Sequence, residues 1–259
     1  MTSHAWSEAV AYEQWAEYYD LARPDIRPYL SFYSSLVTKE MRSIVELGCG
    51  TGLVISELHS QLQSIAARKT VRCVGIDGSP DMLRIARRRN SNVEWHLADL
   101  RALSPFYAFD FAFCCYNTLQ NFDRIGLIAA LSGARTLVRP GGLFAIDIYQ
   151  PNFEYLAGIS PDALKIRHLI DRNGRPLELH ERLTFEGSQN LLIIDWELLQ
   201  AERGESLAKL SDRAWQHTWD VMGEALRRAG FGIKRIYGDL DRSCFDQRSK
   251  KQVIVCTAQ

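Results

Sequence analysis

The chain has 259 residues, 46% of them hydrophobic and 24% charged, with 31 Lys and Arg against 31 Asp and Glu. That length suits one large α/β domain or a domain carrying an insertion, and the composition is that of an ordinary globular protein. The balanced charge provides no basic footprint for nucleic acid or an anionic membrane, and no apolar run reaches membrane-spanning length. The first residues, Met-Thr-Ser-His-Ala-Trp-Ser-Glu, lack the basic start and apolar core of a signal peptide. Six cysteines, at 49, 73, 114, 115, 244 and 256, form no C-x-x-C pair. This argues against a zinc site and suits reduced, buried thiols in a cytoplasmic protein.

Residues 5–38 read as two helices with aromatics at helical spacing: Trp15, Tyr18 and Tyr19, then Tyr29, Phe32 and Tyr33. Arg23-Pro24 breaks them apart. A first strand over 43–47 runs into glycines at alternate positions, Gly48, Gly50 and Gly52, and an amphipathic helix starts at Leu53. Glycine suits a turn that visits positive φ and lets a ligand approach the backbone, whose free N–H groups at the helix start favour an anionic group. The dinucleotide fingerprint would need a glycine where Leu53 stands, so this is a different turn, preceded by the acid Glu46.

A second strand over 71–77 ends in Asp77, placed to accept from two ribose hydroxyls. Gly78 follows, and Ser79 and Pro80 open a helix as N-cap and first residue. That helix carries Arg84 and Arg87-Arg88-Arg89, which read as a solvated basic face. The third strand, 93–97, precedes Ala98-Asp99-Leu100, where Asp99 suits a cap or turn. The fourth, 109–116, is apolar enough to be buried on both faces and ends at Tyr116-Asn117-Thr-Leu-Gln120. Here Asn117 and Gln120 hold a substrate or cap the next segment, Gln120 more as a cap. A helix over 127–137 leads through Arg139-Pro-Gly-Gly142 to the fifth strand, 143–148, with Asp147 and Tyr149 near its carboxyl end.

Between the fifth and sixth core strands the pattern changes. Three strands, 164–170, 177–185 and 191–200, alternate with turns at Asp171–Gly174 and Glu186–Ser188, and Asn173-Gly174 is a strong hairpin signal. A helix over 218–229, capped by Thr218 and stopped by Gly230, then strands over 233–237 and 252–257, complete the chain.

Four phrases in this order resemble the class I S-adenosylmethionine (SAM) methyltransferases: Glu46-Leu-Gly-Cys-Gly-Thr-Gly52, Ile76-Asp-Gly-Ser-Pro-Asp-Met-Leu83, Ala98-Asp-Leu100, and Pro140-Gly-Gly142 before the fifth strand. The resemblance implies a doubly wound, mostly parallel seven-strand sheet whose last strand is antiparallel. Residues 1–40 would form a helical cover and residues 160–215 a small antiparallel lid over the acceptor site or a homodimer contact. It implies SAM in a site made by Gly48, Cys49, Gly50, Asp77, Gly78 and Tyr116. Met82 would lie beside the adenine, with Asp99 accepting from its amino group and the Leu100 N–H donating to its ring. Tyr19 would close over the cofactor, and Tyr19 and Asn117 are the catalytic candidates. Trp196, Arg213 and Trp215 would line the insertion.

No prolines stand at the fourth-strand motif, unlike the Asn/Asp-Pro-Pro-Tyr/Phe of enzymes that methylate planar amide or base nitrogens. His96, His168, His180 and His217 show no metal-ligand spacing, which argues against metal-assisted O-methylation. The layout is similar to small-molecule and peptide N-methyltransferases. An O-methyltransferase of a secondary metabolite and a SAM-binding module without activity are the alternatives.

Overall fold

The computed structural model describes residues 12, 14–23, 25–64 and 70–259. Residues 5–11 and 13 of the expected leading helix, and Pro24 of its break, lie outside that set. Of the cover, turns over 14–18 pass into a single helical turn, α1 (Tyr19–Ala22), followed by α2 (Arg27–Ser35).

The core alternates strand and helix: β1 (Ser43–Leu47), α3 (Leu53–Ser64), β2 (Arg72–Asp77), α4 (Pro80–Arg89), β3 (Glu94–Leu97), β4 (Phe109–Cys114), α5 (Arg124–Leu137) and β5 (Val138–Tyr149). Single 3₁₀ turns lie at Leu100–Ala102 and Thr118–Asn121. After α6 (Phe153–Ala157) come β6 (Lys165–Ile170), β7 (Pro176–Glu186), β8 (Leu191–Gln200) and β9 (Glu205–Trp215). Then α7 (Trp219–Arg228), β10 (Phe231–Tyr237) and β11 (Lys251–Ala258) close the chain.

Seven strands form the main sheet in the order β10-β11-β5-β4-β1-β2-β3, with β11 antiparallel to both neighbours. β1 lies at its centre: Ile44 pairs with Cys73 of β2 and with Phe111 of β4. Because successive side chains face opposite sides, the strands feed two cores. Val45, Leu47 and Ala112 pack with Leu127, Leu131 and Leu226 on one face; Ile44, Phe111 and Phe113 pack with Tyr33, Ile55 and Leu58 on the other. Coverage of both faces explains why β1 and β4 are almost continuously apolar. The strand order reverses between β1 and β4, so the carboxyl ends of β1, β2, β4 and β5 open a crevice there.

The insertion is a separate sheet of four antiparallel strands, β6-β7-β8-β9, rather than three. β9 was missed because its turn, Ala201-Glu-Arg-Gly204, lacks a strong hairpin dipeptide and its Ser, Lys, Asp and Arg residues blur the apolar alternation. Gly204 supplies the positive φ of +65° at that turn. Two further expectations are corrected. Thr218 sits at the N-cap of α7 but its hydroxyl makes no capping hydrogen bond. Gln120 is a tie rather than a cap: its amide accepts from the Tyr149 N–H and donates to the Trp215 carbonyl, joining β5 to the insertion.

The arginines of α4 are likewise not a free solvated face. Arg84 and Arg88 both pair with Glu17, at 2.6 and 2.7 Å, and Arg89 pairs with Asp20. Asp20 also accepts from the Thr51 hydroxyl at 2.6 Å. The cover is thus tied down at one edge by charge. On its other side Trp15, fully buried, stacks on Trp196 of the insertion at 5.7 Å and packs with Leu177, Leu179, Leu198 and Leu210.

Candidate active site

The glycine turn runs along the crevice with φ of +70° at Gly48, +53° at Gly50 and +71° at Gly52. The reasons for glycine differ. A Cβ on Gly48 would lie 2.2 Å from the Thr118 methyl, and one on Gly52 would lie 2.3 Å from the Trp95 ring. At Gly50 the nearest atom would be the Tyr19 ring at 3.5 Å, ordinary contact, so only its backbone conformation demands glycine.

Glu46, just before the turn, is 2% exposed and accepts from the Ile55 N–H and the Cys115 thiol, both at 3.0 Å. Burial pushes its carboxyl up to about 8, against the pull of those hydrogen bonds. At the tip of β2, the Asp77 carboxylate accepts from the Gly50 N–H at 2.7 Å with one oxygen and from the Ser79 N–H at 2.8 Å with the other. Burial raises its carboxyl above the usual range, although those backbone donors and Arg23 oppose the shift. With the Gly78 N–H also acting on it, the carboxylate keeps some acceptor capacity for a further donor.

Two cavities open on this turn and a third adjoins them. A narrow one lies between Glu46, Cys49, Thr51 and the cover residues Tyr19, Asp20 and Arg23. A second, of about 490 Å³, is lined by Gly48, Asp77, Gly78, Asp99, Leu100 and, from the insertion, Leu210, Asp212 and Arg213. The third, about 690 Å³, lies under the insertion against Tyr19, Arg23, Tyr29, Tyr116, Asn117 and Tyr149. Tyr19, Arg23 and Tyr116 are common to the first and third, and Gly48 to the first and second.

Most of the residues expected from sequence therefore face one crevice. Met82 does not: it is 2% exposed and lines none of the three cavities, so here it packs as core. Asp99 lies at the rim of the second cavity, capping the 3₁₀ turn at the Arg101 N–H and pairing with the Arg101 guanidinium at 2.7 Å. Of the insertion residues, Trp196 lines the third cavity and Arg213 the second; Trp215 has the Arg213 guanidinium 5.6 Å from its ring.

Tyr116 and Asn117 adopt consecutive left-handed conformations, φ +55° and +63°, unusual for side-chain-bearing residues and strained. A buried network holds them. Asp147, fully buried, accepts from the Tyr116 N–H at 3.2 Å, the Tyr33 hydroxyl at 2.8 Å and the Lys251 ammonium at 2.7 Å. Tyr29 stacks on Tyr116 with ring centres 3.7 Å apart, and the Arg23 guanidinium lies 4.3 Å from the Tyr116 ring centre. Burial pushes the Tyr116 phenol far up, so it remains a neutral hydroxyl. The Tyr116 hydroxyl and the Asn117 side-chain oxygen are buried without a partner among the described residues. Such orphaned groups beside a cavity point to a bound ligand. Sequence reasoning did not single out Arg23, Lys251 or Asp212; their importance comes from partners far away in the chain.

Residues 44–142 match a family described as a methyltransferase domain. Trans-aconitate 2-methyltransferase of Azoarcus sp. (strain BH72) is 37% identical over 108 residues, 41% of this chain, but the chain spans only 38% of that relative's length. Cypemycin N-terminal methyltransferase of a Streptomyces species is 26% identical over 98% of this chain and 100% of the relative. A dTDP-3-amino-3,6-dideoxy-alpha-D-glucopyranose N,N-dimethyltransferase of Streptomyces fradiae is 27% identical over 76% of this chain and 72% of the relative. Among solved structures, the CcbJ methyltransferase of Streptomyces caelestis superposes with a TM-score of 0.77 at 21% identity, covering 98% of this chain and 100% of that one. Residues 44–142 thus match a methyltransferase domain, and the chain has the class I methyltransferase fold.

Proposed function

We propose that this chain is a SAM-dependent methyltransferase acting on an amine nitrogen of a small-molecule or peptide acceptor. The observation that carries the reading is a pair of cavities on one glycine turn, with Asp77 tied to that turn and a third cavity joined to both through shared walls, Tyr19, Arg23 and Tyr116 on one side and Thr118 and Asp212 on the other. Two of them suit the methionine and adenosine halves of a cofactor, and the third suits an acceptor. The cypemycin and amino-sugar relatives support nitrogen as the target.

The residues present fit SAM. Asp77, at the tip of β2 and lining the second cavity, suits the ribose hydroxyls, and Arg23 in the narrow cavity suits the methionine carboxylate. Bound SAM would supply an electrophilic methyl on a sulfonium with a neutral leaving group. An acceptor nitrogen held in the third cavity as the free amine would take that methyl and release one proton to solvent, the sulfur leaving as a neutral thioether. The protein then has to align and enclose the partners rather than activate them strongly. Tyr19, Tyr29 and Tyr116 wall the junction, and the tied-down cover excludes water from it. The test is incubation with labelled SAM and amine-bearing metabolites or peptides, with mass spectrometry for a gain of one methyl group. SAM bound without any transfer would make the chain a binding module.

Two variants separate the roles of the glycines. Gly48→Ala should impair folding, since its Cβ meets Thr118 at 2.2 Å. Gly50→Val should fold yet lose SAM binding, because a branched residue resists positive φ in the turn whose N–H Asp77 holds, and its γ-carbons press on Tyr19. Calorimetry giving normal SAM affinity for a folded Gly50→Val protein would remove the turn from the site.

Tyr19→Phe is expected to reduce kcat by about tenfold while leaving SAM affinity nearly unchanged, because Tyr19 lines both the narrow and the acceptor cavities. Single-turnover rates and SAM titration check this; unchanged turnover would make Tyr19 a packing residue.

A further inference from the structure

One side chain of the insertion breaks the logic of its own strand. Along β9 the residues facing the cover and the acceptor cavity are Ala208, Leu210, Asp212 and Ala214, since side chains on one face recur every second position. Ala208 and Leu210 are buried in the cluster around Trp15. In cross-strand register Asp212 stands opposite Ile194, which in turn faces Leu183 on β7. A carboxylate thus occupies a row whose neighbours are apolar, and placing it there costs desolvation unless something compensates.

The protein compensates only partly. Asp212 accepts from the Arg213 N–H at 2.9 Å and from the Tyr12 phenol, and among the described residues it has no ion pair. Burial raises its carboxyl, with those two hydrogen bonds and the charge of Arg23 acting against the rise. Of the other charges of the cavity, the Arg23 guanidinium lies over the Tyr19 and Tyr116 rings, 4.0 and 4.3 Å from their centres, and acts on Asp212 only at a distance, while the rest have partners of their own. Glu181 takes the Trp196 indole N–H at 2.8 Å and faces Lys165 at 3.6 Å; Arg167, exposed, donates to the Ala22 carbonyl.

Its position matters as much as its isolation. Asp212 lines both the cavity that contains Asp77 and the acceptor cavity, so it stands where the two open into each other. The unpartnered Asn117 oxygen faces the same acceptor cavity. An acceptor oxygen without a donor and a carboxylate without a cation are together the complement of a group with several N–H donors and a positive charge.

We infer that Asp212 is the counter-charge for a cationic amine-bearing acceptor, holding its ammonium at the mouth of the cofactor crevice while the apolar row of Leu183, Ile194 and Ala214 receives the rest of the molecule. The inference rests on the proposed SAM-dependent reading and adds the charge class of the acceptor and the residue that selects it. Asp212 acts in binding and specificity. An anionic acceptor would meet repulsion there.

The probe is sinefungin, a SAM analogue with a carbon-borne amine in place of the sulfonium and its methyl, compared with S-adenosylhomocysteine, which has no such amine. Calorimetry on the full chain measures both dissociation constants for the wild type and for Asp212→Asn, which keeps the shape and removes the charge. The expected result is S-adenosylhomocysteine affinity unchanged and sinefungin affinity weakened about tenfold or more, as for a lost charge-assisted hydrogen bond. A sinefungin to S-adenosylhomocysteine ratio equal in variant and wild type overturns the assignment of Asp212 while leaving the cofactor reading intact. Failure of both compounds to bind the wild type overturns the cofactor reading and this inference with it. S-adenosylhomocysteine affinity doubles as the test of folding; if the amide is not tolerated, Asp212→Ser is read by the same ratio.

Discussion

Lys251→Met is expected to lower stability by about 3–5 kcal/mol, the range for removing one partner of a buried ion pair. Asp147 is fully buried and Lys251 is 6% exposed, so the carboxylate left behind cannot be rescued by water. Burial alone would lower the lysine's proton affinity; the adjacent Asp147 and the Tyr29 phenol instead hold it above the ordinary value, which marks a committed ion pair. The pair does more than fix β11 to β5. Asp147 also holds the Tyr116 N–H in its strained conformation, so the variant should lose the shape of the acceptor cavity as well as stability. Chemical denaturation measures the first effect. The paired change Asp147→Leu with Lys251→Met should recover much of the stability, since well-packed apolar groups can replace a buried ion pair, but not the Tyr116 conformation. A Lys251→Met protein as stable as wild type would show that the carboxylate is hydrated or takes up a proton in the fold.

Asp77→Ala is expected to weaken SAM binding by roughly 2–4 kcal/mol, or about 30- to 1,000-fold. Part of the loss is direct: two hydroxyl donors of the ribose would lose a charged acceptor. Part is indirect, because the same carboxylate holds the Gly50 and Ser79 N–H groups at 2.7 and 2.8 Å. Asp77→Asn, which keeps one acceptor oxygen but must turn an N–H₂ toward a donor, should fall between alanine and wild type. Calorimetry with SAM on each folded variant decides; equal affinity for Asp77→Ala and wild type would take the ribose away from β2.

The sequence revealed most where structure is locally determined. Strand, glycine turn and helix over 43–64 follow from short-range residue types, and so do Asp77 at the tip of β2 and the buried character of β4. What escaped depended on distant partners. The arginines of α4 read as solvated because Glu17 and Asp20, which grip them, lie almost 70 positions away in the chain. Lys251 stood just before the strand expected over 252–257, with nothing to mark it, because its partner Asp147 lies more than a hundred residues away. The alternation in β9 that exposes Asp212 as an exception was obscured by that aspartate itself. A polar residue on the apolar face weakens the periodic signal at the very position where it carries functional information.

The stacking of Trp15 on Trp196 also has a consequence for biosynthesis. The two residues are separated by most of the chain, and the cluster around Trp15 draws on β7, β8 and β9. During synthesis from the amino end, the aromatic residues of the cover emerge early and their apolar partners on the insertion emerge late. The strands β1 to β5 can pair in the interval, so the glycine turn and five of the seven sheet strands precede their roof, and β10 and β11 join the sheet after it. The cover then closes by a long-range contact, the kind that forms slowly and leaves apolar surface exposed while it waits. A ribosome-bound chain stopped near residue 160 would already present the cofactor crevice, open on the side that the finished protein keeps shut.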